Sequence, residues 1–158
     1  MTDTTTRSPL DRPYPEHEDK PFFDLTVELL RGVRDHDFDT LAAICDDDFG
    51  IIDIAPDGGN VAIRNRTEWE AWFRNLFAQL AALDATTDSE ILAYDAVQTA
   101  ELGYSVLEFR QTLELRGMVA TFDCITTIVW KFQDGRWREA RWHGSVLARD
   151  LPEEMLAA

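Results

Sequence analysis

The chain has 158 residues, 30 Asp plus Glu against 15 Lys plus Arg, and a formal net charge of −15, with 45 % of its residues hydrophobic. That length carries one cored domain and not two, and the acidity excludes nucleic-acid and anionic-membrane binding, which need clustered Lys and Arg. No apolar run reaches the ~18 residues of a membrane span, no basic-then-apolar leader opens the chain, and Cys45 and Cys124 cannot build a disulfide framework, so a cytoplasmic protein is expected.

The charge is uneven: residues 1–57 carry −10, residues 58–101 carry −4 and residues 102–158 carry −1. Residues 1–20, with three prolines and no apolar period, predict a flexible or wrapping arm. From Pro21, apolar residues at 3–4 residue spacing (Phe22, Thr26, Leu29, Leu30, Val33) predict a helix to about Arg34. Asp37 is placed to cap a second, shorter helix with the stripe Phe38, Leu41, Ala42 and Cys45. Asp46, Asp47 and Asp48 end it with the wrong sign for a helix C-terminus; they read as a solvated turn rather than a cation site.

Residues 50–54 predict a strand, 56–60 a turn and 61–63 a short return strand. Thr67-x-x-Glu70 has the pattern of a capping box. The helix it opens carries Trp69, Trp72, Phe73, Leu76, Phe77, Leu80 and Leu83 on one broad face, the pattern of a core stripe. Four long strands follow, at about 89–98, 103–115, 118–132 and 136–148, with turns at Arg116-Gly117 and Asp134-Gly135. Helices first and a strand meander last predict an α+β fold with helices on one face of an antiparallel sheet. The expected division is the arm 1–20, a domain over 21–149 and a tail over 150–158.

This order, with the ending Thr126-Thr-Ile-Val-Trp-Lys-Phe-Gln-Asp-Gly-Arg-Trp137 and then His143-Gly-Ser145, resembles the nuclear transport factor 2-like superfamily, which includes SnoaL-like cyclases and ketosteroid isomerases. The Trp-(x)5-His-x-Ser ending is most similar to the association domain of calcium/calmodulin-dependent kinase II and its bacterial relatives. The resemblance covers about residues 20–149. It implies a cone: a curved sheet wrapped around three N-terminal helices, a pocket between them, and a homodimer through the outer sheet face. In the association domain the position matching Gly144 faces the cavity. The resemblance therefore turns Ala140 and Trp142 inward, with Cys124, Thr126, Ile128 and Trp130 on the strand before, and Tyr104, Glu108, Arg110 and Thr112 on the strand before that. One β-bulge would invert part of this assignment.

Asp53 stands in an apolar strand, where an unpartnered charge is costly. With Asp47 and Asp48 it is similar to the Asp-Asp-x-x-x-x-Asp stretch that supplies the base of the isomerases; otherwise it is a strand-end Asp bonded to the Gly58-Gly59 turn. Glu108 and Arg110 share one strand face and make an ion pair, at the pocket by the resemblance and on the surface otherwise. Asp123 is expected outside, meeting Arg141 or Arg138, and His143 away from the cavity.

Departures from the isomerases matter as well. Leu29 and Ile128 fall where that family has its oxyanion-stabilising Tyr and partner acid, and Glu108-x-Arg110 reverses the Arg-x-Asp motif of the epoxide hydrolases of this superfamily. Three scattered histidines make no metal site, and no phosphate loop or nucleophile setting occurs, so no cofactor is expected.

The expectation is a SnoaL-like homodimer binding a small hydrophobic or aromatic ligand, with walls from Phe73, Tyr104, Thr126, Trp130 and Trp142. Asp53, Glu108 and Arg110 supply the polar groups of a cofactor-free lyase, isomerase or cyclase. The alternatives are a non-catalytic dimerisation or ligand-binding module, and an accessory subunit of a larger enzyme.

Overall fold

A computed structural model describes residues 7–54 and 59–156; the side chains of residues 52–54 and 156, and so that of Asp53, lie outside the described residues. Helices α1 (Phe23–Arg34) and α2 (Phe38–Ile44) are followed by strands β1 (Cys45–Ile54) and β2 (Asn60–Ile63) and helix α3 (Arg66–Ala82). Strands β3 (Thr86–Gln98), β4 (Leu102–Leu115), β5 (Met118–Gln133) and β6 (Arg136–Asp150) complete the sheet, and a short helix α4 (Glu153–Leu156) follows.

The strands form one curved open sheet in the order β2-β1-β6-β5-β4-β3. All neighbours are antiparallel except β1 and β6, which run parallel. The expected α+β architecture, three helices against one curved sheet, is the observed one; the parallel β1–β6 pair modifies its purely antiparallel form. Both long hairpins turn on two residues with positive φ, Arg116 and Gly117 (53° and 77°) and Asp134 and Gly135 (55° and 80°). These are the mirror-image turns whose twist matches that of the strands they join.

Three local readings change. Asp46–Asp48 do not form a turn: β1 begins at Cys45, and Asp46 is buried with the Lys131 ammonium 3.7 Å from its carboxylate, while Asp47 and Asp48 stay exposed. The positive charge missing from the end of α2 comes from α3, where Arg66 donates to the carbonyls of Ala42, Cys45 and Asp46 at 2.9–3.3 Å. The cap of α3 is Asn65 rather than Thr67: its side chain accepts from the Glu68 N–H at 2.9 Å, and Glu68 Oε2 accepts from the Arg64 N–H at 2.8 Å.

Residues 7–20 wrap onto the domain. Leu10 and Tyr14 are core residues, Tyr14 donates its hydroxyl to the Pro9 carbonyl at 2.7 Å, and Ser8 donates to Asp88 at 2.8 Å. One end of the cone is plugged by aromatic rings. Phe22 stacks on Trp130 (centroids 5.3 Å apart) and meets Trp137 edge-on at 5.0 Å, and the Trp130 indole donates to Ser105 Oγ at 3.0 Å. Gly103 leaves room for this plug, since a Cβ there would run into the Phe22 ring.

Candidate functional site

Between the helices and the inner face of the sheet lies a cavity of about 920 Å³. Leu29, Leu30, Trp69, Trp72, Phe73 and Phe109 give it apolar walls; Ser89, Gln111, Cys45, Thr126, Glu139 and Trp142 add polar groups. It reaches outward past the β4–β5 turn and the end of β6 to Leu151 and Met155.

The two-residue turn at Arg116-Gly117 determines which side chains of β4 see this cavity. It pairs Leu115 with Met118, so every odd-numbered residue of β4 stands opposite an even-numbered residue of β5. Directly opposed residues share a sheet face. The inner residues are therefore Ser105, Leu107 and Phe109 on β4, opposite Ile128, Thr126 and Cys124. The even-numbered residues of β4 assigned inward by the resemblance lie on the outer face. Tyr104 is 47 % exposed. Glu108 alternates with buried Leu107 and Phe109 and stands with Tyr104 on the outside. Arg110 is also outside and pairs with its cross-strand neighbour Asp123, Nε to Oδ1 at 2.7 Å and Nη2 to Oδ2 at 3.3 Å. Asp123 is outside as expected, but its partner is Arg110 rather than Arg141 or Arg138, and that guanidinium holds its carboxyl below the usual carboxylate range.

Other expected positions border the cavity on α3, β5 and β6. Phe73, Thr126, Trp142 and Gly144 line it, and Trp142 meets Phe109 edge-on at 6.2 Å. Trp130 faces inward but belongs to the aromatic plug and not to the cavity wall. Asp53 holds the β1 position opposite Val61, two residues beyond Ile51, which lines the cavity.

One residue of the cavity was not among those expected. Glu139 is 3 % exposed; the Cys45 thiol donates to its Oε1 at 3.6 Å, and its Oε2 has no hydrogen-bond partner among the described residues. Burial, and then the charge of Asp46, push its carboxyl up to about 8 against the opposing thiol hydrogen bond, so at neutral pH it is mostly a neutral acid. Two further buried polar atoms of the lining residues, Thr126 Oγ1 and Trp142 Nε1, have no hydrogen-bond partner among the described residues. An acid, a hydroxyl and an indole N–H thus belong to the wall residues of a mainly apolar cavity with hydrogen-bonding capacity unspent. Among the described residues no group of three His, Cys, Asp or Glu side chains is placed to hold a metal ion. No helix among them is long and apolar enough to cross a membrane.

Comparison with known proteins agrees with this architecture. The fold is similar to that of a hexachlorocyclohexane dehydrochlorinase, LinA type 3, from Novosphingobium barchaimii LL02 (TM-score 0.64, 14 % identity, 82 % of this chain and 86 % of that one). It is also similar to a protein with a cystatin-like fold from Caulobacter vibrioides (TM-score 0.62, 16 % identity, covering 85 % and 90 %). A third likeness is to an LEH-like epoxide hydrolase from M. tuberculosis (TM-score 0.55, 17 % identity, covering 78 % and 80 %). Among curated proteins, none matches the sequence significantly. Residues 24–149 match the SnoaL-like domain, and the chain belongs to that family.

Proposed function

We propose that the chain binds a small hydrophobic or aromatic molecule in this cavity and catalyses a cofactor-free proton transfer on it, as a lyase, isomerase or cyclase. The observation that carries this reading is Glu139, a buried carboxyl with one oxygen unspent in an otherwise largely apolar cavity. As a neutral acid it delivers a proton to a departing or carbonyl oxygen, and the resulting carboxylate can take one back. Thr126 and Trp142 offer the O–H and N–H that would hold developing negative charge. The other fold relatives are consistent with such chemistry: one is named as a dehydrochlorinase and one as an epoxide hydrolase. Asp53, the base expected from the sequence, remains the second carboxylate to examine. A cytoplasmic location belongs to the same reading.

The test begins with native mass spectrometry of the protein purified from its own host, to identify a retained ligand. Turnover of that ligand should fall about 10²–10⁴-fold in Glu139→Gln. Turnover unchanged in Glu139→Gln but lost in Asp53→Asn would move the acid–base role to Asp53. If both variants keep full turnover, neither carboxyl moves the proton.

Leu102, Tyr104 and Val119 on the outer sheet face are each about half exposed, and such a face favours association. We infer a homodimer through it. Sedimentation should give twice the chain mass, and Tyr104→Glu should give a monomer with the cavity intact; a monomeric parent protein would rule the dimer out.

A further inference from the structure

A bulge near the end of β6 points to the chemical class of the ligand. On β5 and β6, Cys124 pairs with Val146 but Asp123 pairs with Ala148, so one extra β6 residue is inserted at Leu147. The insertion brings Arg149 opposite Phe122 on the inner face and sends Asp150, opposite Thr121, to the outer one. Without it, Arg149 would have turned outward. Across the same opening, Arg116 projects from the β4–β5 turn, and both arginines line the cavity. Neither makes an ion pair among the described residues. Among the described residues they are the only cations of the lining, and Glu139 is its only acid. Around them the rim is apolar, with Leu113, Met118, Leu151 and Met155. In a chain of net charge −15, the charged side chains that line the opening of this apolar chamber are thus positive.

We infer that the substrate is an elongated amphiphilic anion whose charged head is held at the mouth by Arg116 and Arg149 while its apolar body runs inward to Glu139. Glu139 and Arg149 are ten positions apart on β6, on the order of 30 Å of strand contour at ~3.3 Å per residue before bulging and curvature shorten it. A short acid held at the mouth would not reach the buried carboxyl. The inference rests on the proposal that the cavity binds a small molecule and adds the chemistry of its head group.

The experiment displaces the neutral fluorophore N-phenyl-1-naphthylamine from the full chain with dodecanoate and, separately, with dodecan-1-ol, at neutral pH and low salt. Dodecanoate should compete at about fivefold lower concentration than the alcohol, the size expected for two partly solvated charge pairs. The Arg116→Gln/Arg149→Gln double variant should lose that preference while keeping its affinity for the alcohol, and Arg136→Gln, at the other end of the sheet, should retain it. Both mouth arginines are exposed, so the double variant should fold, which its thermal melt checks. Equal competition by acid and alcohol, or a preference that survives the double substitution, overturns the anionic head group and leaves the cavity reading standing. If the fluorophore does not bind, the cavity reading and this inference both fall.

Discussion

Trp130 on β5 is paired with Glu139 on β6, whereas the preceding Val129 is paired with Arg141. Ala140 is the extra residue between them, and this bulge turns Glu139 from the outer face to the inner one. A carboxyl buried in this way gives stability a characteristic pH dependence. The folded protein holds the Glu139 proton up to about pH 8, against 4.5 for an ordinary glutamate. Between those values the native state binds more protons than the unfolded one, so stability is greatest below the lower value. It declines as pH rises and levels off above about 8. Urea denaturation at several pH values should show that decline, of roughly a few kcal/mol. Glu139→Gln should flatten it and be the more stable protein at pH 8. A variant with the parental slope would place the titrating group elsewhere.

The neighbouring thiol makes a separate prediction. Burial, then the adjacent Glu139, push the Cys45 thiol up, and Cys45 is itself buried. Reactivity needs thiolate and access, and Cys45 has neither. Cys124 is half-buried in the cavity wall. Alkylation of the native protein at pH 8, read by peptide mass spectrometry, should modify Cys124 and leave Cys45 intact until denaturant is added. Labelling of both at similar rates would mean that the β1–β6 junction opens readily.

Much of this architecture is written in local patterns. The 3–4 residue apolar spacing of α1 and α3 and the two Asp/Arg-Gly turns are strong signals, and the elements lie within a few residues of where they point. The site was less legible. On β5 both parities are largely apolar, so alternation could not choose a face there, whereas β4 alternates Leu107, Phe109, Leu113 and Leu115 with Glu108, Arg110 and Glu114, a signal that the resemblance overrode. The two-residue turn at Arg116-Gly117 links the two strands: it forces odd residues of β4 to share a face with even residues of β5, which excludes Tyr104, Glu108 and Arg110 from the cavity. Glu139 also left a trace. Trp137 and Trp142 are five residues apart and cannot both face inward on a regular strand, so Arg-Trp-Arg-Glu-Ala-Arg-Trp implies a bulge between them. What no sequence pattern revealed was the burial of Asp46 and Glu139 side by side, because that depends on the parallel pairing of β1 with β6.

The cap of α3 discriminates between two adjacent readings of one sequence. Asn65 accepts from the Glu68 N–H and Glu68 reaches back to Arg64, while Thr67 lies inside the helix. Asn65→Ala should therefore cost about 1 kcal/mol of unfolding free energy. Thr67→Ala, which removes a β-branched residue from the first turn, should be neutral to slightly stabilising. The reverse ranking in chemical denaturation would restore Thr67 as the cap.

Gly103 and Gly117 sit at the two ends of β4 and should respond to alanine for different reasons. At Gly103 the backbone is ordinary, but a Cβ would meet the Phe22 ring and the Val97 carbonyl. The ring cannot retreat, because it is stacked on Trp130 and held edge-on by Trp137. Overpacking of this kind costs about 1–3 kcal/mol, and it should show as a lower melting temperature and altered near-ultraviolet circular dichroism from the disturbed tryptophans. At Gly117 nothing lies within 4 Å of the added methyl, and only the φ of +77° resists it. The cost there is the roughly 1–2 kcal/mol of a left-handed backbone, with the aromatic spectrum unchanged. The two variants can lose similar stability, so the spectrum separates them. An undisturbed tryptophan signal in Gly103→Ala would mean that Phe22 is not pinned against Trp130 in solution.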